Sequence, residues 1–248
     1  MKISSKVCAL ALGASFVVLS ACSNDPAGPG NNVNVNVIVN QTNSYYIYDR
    51  RETDSSGSTV NETQRRDSTV VTGRETVAGK DATRYETYHD QGRDTNYYYQ
   101  DGNRLYSYTS ITSKLKLPPF VSTVIPGKSW FEIANFTSGS TWTLFDSTVS
   151  NVEVPFLGAV TGRVLVTGRQ NGDTTMVING KTYTAIKIAT TFRFEPQGSA
   201  LLSPMSSSYY EYYINGVGLA MFRRDYLNYL GLYRAEGEVK TLNSFSIR

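Results

Sequence analysis

Apolar and polar residues alternate with a period of two along much of the chain, and this pattern predicts β-strands. From Tyr45 onward, short runs rich in Tyr, Thr, Val, Ile and Phe are separated by turns that contain glycine. The 3.6-residue apolar period of an amphipathic helix is missing from these runs. We therefore predict an all-β, nearly helix-free domain: a curved antiparallel sheet, half-barrel or barrel built of hairpins.

Turn residues divide this pattern into hairpins. The dipeptides in which glycine follows Asn or Asp favour the backbone of tight hairpin loops; they are Asp101-Gly102, Asn171-Gly172, Asn179-Gly180 and Asn215-Gly216. A weak repeat aligns residues 77–83 with 178–184, and 98–102 with 212–216. Two similar halves would explain the repeat, and so would unrelated hairpins with the same turn chemistry.

Residues 1–21 have the pattern of an export signal. Lys2 and Lys6 precede an apolar run, Val7 to Leu19, that is shorter than a membrane-spanning helix needs. The run ends in Leu19-Ser20-Ala21-Cys22, which resembles the lipobox of bacterial lipoproteins. This resemblance implies cleavage before Cys22 and attachment of acyl chains such as palmitate there. The alternative is an ordinary secretory signal that leaves a free thiol.

The use of cysteine favours the lipoprotein interpretation. The chain has two cysteines, and Cys8 lies inside the segment that would be removed, so no disulfide is expected in the mature chain. An exported protein whose single cysteine is its first residue is better explained by lipidation than by a reactive thiol. Ser23 follows, rather than the aspartate that retains many lipoproteins at the inner membrane. By this resemblance we expect the outer membrane, with the domain facing the periplasm.

Beyond the anchor we expect a flexible tether and then one β-rich periplasmic domain. The tether, residues 22–32, is rich in Asn, Pro and Gly. The domain, residues 33–248, begins with Val and Asn in alternation over 33–39, which predicts a strand, or else a linker of low complexity. Residues 114–126 carry prolines among apolar residues. They form either a crossover packed over the core or an apolar loop that contacts lipid or a partner, and a division into two domains there stays open.

The charge balance excludes nucleic acid as a partner. The chain has 24 Lys and Arg against 21 Asp and Glu; removal of Lys2 and Lys6 leaves 22 against 21, a net charge of about +1. Acidic and basic residues are interspersed, without the basic stripe of a nucleic-acid-binding surface. With no second long apolar segment in the sequence, we expect the membrane to be contacted through the lipid alone.

Few residues are candidates for catalysis. His89 is the only histidine, no free cysteine remains, and no glycine-rich phosphate loop precedes a helix. We therefore predict no catalytic residue, no metal site and no cofactor. A glycan hydrolase would need two converging carboxylates; the acids available on predicted strands and turns are Asp146, Glu153, Asp173, Glu195 and Glu211.

Aromatic residues are the more informative feature. The chain has 18 tyrosines, several of them in runs, and neighbouring strand residues point to opposite faces of a sheet. Outward tyrosines stabilise cross-strand pairs and need no ligand. Inward ones, together with a set of larger aromatic residues, are predicted to line a concave apolar pocket; that set is Trp130, Phe131, Trp142 and Phe145.

Two segments resemble a group of uncharacterised bacterial lipoproteins in which tryptophan-bearing strands precede a hairpin. They are Gly127-Lys128-Ser129-Trp130 with Gly139-Ser140-Thr141-Trp142, and the segment from Tyr212 to Leu219. Several such proteins are similar in fold to the carrier that sorts lipoproteins and to its outer-membrane receptor, whose curved sheet encloses an apolar cavity. The resemblance implies such a sheet. The sequence does not predict the helices that close the cavity in those carriers.

These observations lead to three functional hypotheses. The first is a non-enzymatic, membrane-anchored lipoprotein whose β-domain binds a hydrophobic small molecule or an envelope protein, and its mark would be a concave aromatic pocket. The second is a structural or assembly component of the envelope that docks by strand addition through the Asn-Val segment and open sheet edges. The third is the glycan hydrolase.

Overall fold

The computed structural model describes residues 34–123, 125–154, 158–198, 203–229 and 231–248. The predicted export signal, the predicted lipidation site Cys22 and the predicted tether lie outside the described residues. Strands make up 68% of the structure and helices 6%, which confirms the all-β class. The described helices are all too short or too polar to cross a membrane.

The strands of the described ranges are numbered in chain order: β1 (Tyr45–Thr53), β2 (Arg65–Val77), β3 (Lys80–His89), β4 (Gly92–Asp101), β5 (Arg104–Thr109), β6 (Ser129–Asn135), β7 (Thr141–Val154), β8 (Gly158–Ile178), β9 (Lys181–Gln197), β10 (Met205–Ile214), β11 (Gly218–Arg224), β12 (Leu227–Tyr229), β13 (Tyr233–Ala235) and β14 (Gly237–Ser246). The helices are α1 (Ile111–Leu115) and α2 (Pro119–Ser122), with one 3-10 turn at Asn61–Thr63.

Two equivalent meanders form the main sheet. Within the described ranges, twelve strands pair antiparallel in the order β6-β5-β4-β3-β2-β1-β14-β11-β10-β9-β8-β7. Strands β1 to β6 form one half; β7 to β11 with β14 form the other, in the same spatial order. Ladder pairing between β1 and β14 joins the halves, and the sheet curls until it is nearly closed into a barrel. This confirms the prediction of an antiparallel sheet curved toward a barrel, and the two halves share one strand order.

The hairpin turns follow the predicted chemistry in one case and depart from it in another. Asn179-Gly180 forms the loop between β8 and β9, and both residues have positive φ, 50° and 75°. Asn171-Gly172, predicted as a turn, is instead a bulge inside β8, where two residues stand opposite one on β9. The β8–β9 ladder continues on both sides of the bulge. Gly172, with φ of 78°, adopts the backbone conformation that lets β8 carry one extra residue without reversing the chain.

Residues 34–40, which we call the strap, belong to no described strand; Val35, Val37, Ile38 and Val39 in this segment are buried, whereas its three asparagines are exposed. Val37 and Val39 are buried, and their backbone N–H groups form hydrogen bonds with side chains. The Val37 N–H donates to Gln100 Oε1 at 3.0 Å; the Val39 N–H donates to the Tyr85 hydroxyl, also at 3.0 Å. The prediction of a strand was therefore wrong, because side chains take the hydrogen bonds that a ladder would have made.

The proline-containing stretch after β5 packs into the core rather than forming an exposed loop. Leu115 of α1 and Val121 of α2 are fully buried, and Leu117 and Ile125 beside them are nearly so. Helices of five and four residues are too short to show a 3.6-residue period in the sequence. The apolar side chains of this stretch belong to the core.

Candidate functional site

A cavity of about 270 Å³ is lined by residues of the sheet, the strap and α1. Its wall comes from the first meander, from β10, β11 and β14, and from the strap residues Val37 and Ile38. Aromatic side chains dominate this wall: Tyr46, Tyr48, Tyr85, Tyr98, Tyr213 and Phe222. Pockets for drug-sized ligands are commonly about 300 to 1,000 Å³, so this cavity suits a small one.

The tyrosines pack against one another rather than projecting singly. Tyr85 meets Tyr98 edge to face with ring centroids 5.4 Å apart, and Tyr46 lies 6.5 Å from Tyr85. Burial raises the pKa of Tyr46 and of Tyr85, so both phenols stay neutral. The Tyr48 hydroxyl donates to the Leu219 carbonyl at 2.9 Å. The Tyr46 hydroxyl has no hydrogen-bond partner among the described residues.

A buried ion pair also lines the cavity. Lys114 Nζ of α1 is 2.7 Å from Glu211 Oε1 of β10, and the Glu211 side chain is 2% exposed. Burial by itself favours the neutral amine, but the Glu211 carboxylate together with Tyr209 and Tyr98 outweighs burial and raises the pKa of Lys114. Lys114 is therefore protonated.

The other lysine that lines the cavity, Lys240, also forms an ion pair. Lys240 Nζ is 2.8 Å from Asp67 Oδ2, and it lies 4.7 Å from the centre of the Tyr48 ring. Asp94 also lines the cavity, and its side chain is 72% exposed, so the cavity opens to solvent beside the start of β4. Both lysines that line the cavity are thus matched by a carboxylate.

The aromatic residues predicted for the pocket lie elsewhere. Trp130 packs against Tyr99 and donates from Nε1 to the Val77 carbonyl at 3.1 Å. Phe131 is buried in the core, and Phe145 is half-buried against it. The Trp142 indole donates to the Glu132 carbonyl at 2.7 Å. All four lie in the described part of the chain, and none lines the cavity.

Tyrosine runs were the sequence signal that pointed to the cavity. Tyr98 belongs to the run at 97–99 and Tyr213 to the pair at 212–213, and strand alternation turns each of these two inward. Tyr46 and Tyr48 come from β1, far away in sequence. The sequence alone gave no reason to group them with β10, or to place Lys114 opposite Glu211.

Two of the five acids considered for glycan hydrolysis are paired with arginines. Arg163 donates to both oxygens of Asp146, at 2.8 and 2.7 Å, and these hydrogen bonds lower the Asp146 pKa. Glu195 pairs with Arg193 at 2.8 Å. Of the five acids singled out in the sequence, all of them described, Glu211 alone lines the cavity.

Comparison with known proteins gives distant likenesses in fold. No protein-family model and no curated protein matches the chain. Two solved structures are similar in fold. Each alignment covers 86% of this chain and 99% of the solved chain. One is a "putative lipoprotein" from Parabacteroides distasonis (12% identity, TM-score 0.48), and the other a "putative exported protein with YmcC-like fold" from Bacteroides fragilis (7% identity, TM-score 0.42). Similarity this distant carries no argument about function.

Proposed function

We propose that this chain is a lipid-anchored lipoprotein of the cell envelope, on the outer membrane facing the periplasm, whose barrel binds a hydrophobic small molecule without catalysis. The observation that carries the proposal is the tyrosine-lined cavity beside the strap. The anchor is argued from the lipobox sequence at Cys22. Each half of the proposal has its own test.

The anchor predicts that Cys22 carries acyl chains. Cells fed labelled palmitate should incorporate label into the unaltered protein and not into Cys22→Ser. Cys8→Ser is the matched control, because that cysteine lies in the segment removed on export, and it should leave incorporation unchanged. Label that persists in Cys22→Ser would contradict the anchor.

Two features of the cavity support binding rather than catalysis. Its wall is built mainly of neutral phenols and apolar side chains, which suit the apolar surface of a ligand. Its lysines are matched by carboxylates, and its one deeply buried acid, Glu211, is held by Lys114 at 2.7 Å. The same pairing gives the hydrolase hypothesis little support.

Binding can be measured with N-phenyl-1-naphthylamine, a neutral fluorophore that brightens in apolar surroundings. Asn96 lines the cavity from β4, so Asn96→Phe should fill the space and weaken binding of the fluorophore at least about tenfold. Thr95→Phe adds the same ring on the opposite face of the strand and should leave binding unchanged. Equal binding by both variants would place the fluorophore outside the cavity and contradict the proposal.

Docking by strand addition has less support. The strap was the predicted docking segment, and several of its backbone groups already form hydrogen bonds within the fold. The Val37 N–H donates to Gln100, and the Val39 N–H donates to Tyr85. The Asn36 carbonyl accepts from the Gly216 N–H at 2.7 Å. The strap therefore has few groups left to offer a partner strand.

A further inference from the structure

We propose that a groove on the outer face of the second meander binds an acidic saccharide, and that Arg169 pairs with the carboxylate of this ligand. The groove has a volume of about 460 Å³ and shares no lining residue with the cavity. The inference therefore goes beyond the proposed function and does not depend on it. It adds a second binding site and the chemical class of its ligand.

The shape of the groove comes from a small residue between two long ones. Arg169 of β8 and Tyr210 of β10 are both paired with Ala189 of β9, and all three line the groove. Ile188 is packed in the core, so its neighbour Ala189 points to the outer face of the sheet. Ala189 is nevertheless only 7% exposed, because the longer side chains on both sides cover it. The alanine is thus a floor between walls about 10 Å apart, the width of two strand spacings.

The charges beside the groove favour an anion. No acidic residue of the described ranges lines it. Carboxylates pair with other arginines of the same half of the sheet: Asp146 with Arg163, Glu195 with Arg193 and Asp225 with Arg223. In the described part of the chain no carboxylate pairs with Arg169, or with Lys187, whose Nζ lies 4.6 Å from the centre of the Tyr210 ring. A guanidinium group can bind a carboxylate through two parallel hydrogen bonds, so a ligand carboxylate would supply the partner that Arg169 lacks.

The other groups of the groove suit a sugar rather than a simple anion. Thr143, Thr167 and Thr191 form a row of paired positions across β7, β8 and β9, and all three line the groove. Asn171 adds an amide at the bulge in β8. Hydroxyl and amide groups both donate and accept hydrogen bonds, as the hydroxyls of a sugar require. The Tyr210 ring offers an apolar surface to the C–H groups of the sugar.

The test is calorimetric titration of the unaltered protein with three probes. Digalacturonate carries two carboxylates on a sugar, its dimethyl ester keeps the sugar without the charge, and succinate keeps the charge without the sugar. We expect digalacturonate to bind at least about fivefold tighter than either of the others, and more weakly as salt screens the exposed ion pair. The proposal is overturned if digalacturonate does not bind, or if the ester or succinate binds as tightly.

Arg169→Gln then assigns the preference to its residue. Glutamine keeps hydrogen-bonding groups but lacks the charge, so digalacturonate should bind about fivefold more weakly while the ester is unaffected. Equal weakening of both probes would indicate a merely structural role for Arg169 and overturn the assignment. Arg163→Gln is the matched control, because Arg163 lies on the same face of β8 outside the groove and is paired with Asp146. It should leave the binding of both probes unchanged.

The groove and the cavity can fail separately. Asn96→Phe, which fills the cavity, should leave digalacturonate binding intact, and Arg169→Gln should leave fluorophore binding intact. If Arg169→Gln binds digalacturonate as tightly as the unaltered protein, the groove proposal is wrong and the proposed function stands. If the fluorophore binds Asn96→Phe as well as the unaltered protein while digalacturonate still requires Arg169, the proposed function is wrong and the groove proposal stands.

Discussion

Two ionisable side chains are buried together where α1 meets β10. Glu211 is almost fully buried, and Lys114 is 19% exposed, so both have lost most of their hydration. Their attraction offsets this loss only while both are present. Arg224 packs nearby and donates to the Lys114 carbonyl at 3.2 Å, which fixes the backbone that carries the lysine.

Removing one partner should therefore cost more than removing both. Lys114→Met leaves the Glu211 charge buried without compensation and should lower the free energy of unfolding by about 3 to 5 kcal/mol. The double variant Lys114→Met with Glu211→Leu should recover most of this loss. Urea unfolding of the two variants checks the prediction, which is wrong if the double variant is the less stable.

Trp142 connects β7 and β6, the strands at the two ends of the sheet order, and it packs against a glycine of β8. The Trp142 ring of β7 lies against Gly168 of β8, and its indole N–H donates to the Glu132 carbonyl of β6. A Cβ atom at Gly168 would overlap the ring. The glycine is thus required by close approach of a side chain, not by its φ.

Gly168→Ala should displace the indole and lower the free energy of unfolding by about 1 to 3 kcal/mol. Gly127→Ala is the control, because a Cβ there meets open space. Thermal unfolding gives the comparison, and tryptophan fluorescence should shift to the red in Gly168→Ala alone. Equal stability of the two variants would mean that this contact contributes nothing.

Among the elements, the strap depends most on side chains. Gln100 accepts from the Val37 N–H and donates to the Val35 carbonyl, so one side chain serves two backbone groups. These bonds replace the ladder that holds an ordinary strand. The strap also forms part of the cavity wall, so its position influences the shape of the site.

Gln100→Ala should release the strap while the sheet stays folded. We expect faster hydrogen exchange at the Val35 and Val37 amides, because local opening then costs less free energy. Gln91→Ala, in the exposed turn between β3 and β4, is the matched control. Unchanged exchange in Gln100→Ala would show that burial of the valines, rather than the glutamine, holds the strap.

Local patterns in the sequence predicted the strands well, but they did not predict the strap, the bulge in β8 or the two short helices. Alternation and Asn-Gly turns identified the hairpins, because both reflect backbone preferences within a few residues. The strap and the Asn171-Gly172 bulge were misread because the deciding partners, Gln100, Tyr85 and β9, are distant in sequence. The helices were missed because each spans little more than one turn.

At the scale of the whole molecule, the weak repeat corresponds to real structure. The aligned segments at 77–83 and 178–184 form equivalent hairpins in the two meanders, β2 with β3 and β8 with β9. The cavity could not be read from the sequence in the same way. Its wall combines both meanders, the strap and α1, and only closure of the sheet brings them together.

The buried tyrosines should make the whole fold sensitive to alkali. Burial raises the pKa of Tyr209 to about 12, against a smaller opposing effect of Lys114, and burial also raises the pKa of Tyr46 and Tyr85. Above about pH 10 the unfolded chain releases phenolic protons that the folded protein still holds. Stability is thus fully retained below about pH 10 and falls as pH rises toward 12.

We expect the free energy of unfolding to fall by about 1.4 kcal/mol per pH unit for each such tyrosine within that window. Urea unfolding at about pH 8, 10 and 11, followed together with phenolate absorbance, measures the slope. The absorbance of the buried tyrosines should rise only as the protein unfolds. Their ionisation near pH 10 with the fold intact would contradict the assigned burial.

Native mass spectrometry of the intact lipidated protein, purified from its own organism, can show whether the cavity holds a ligand. We expect a hydrophobic small molecule to remain bound in addition to the covalent acyl chains, and we expect Asn96→Phe to lose it while Thr95→Phe retains it. A protein without any bound molecule, or one that keeps the same molecule in Asn96→Phe, would contradict the claim that this cavity binds a ligand.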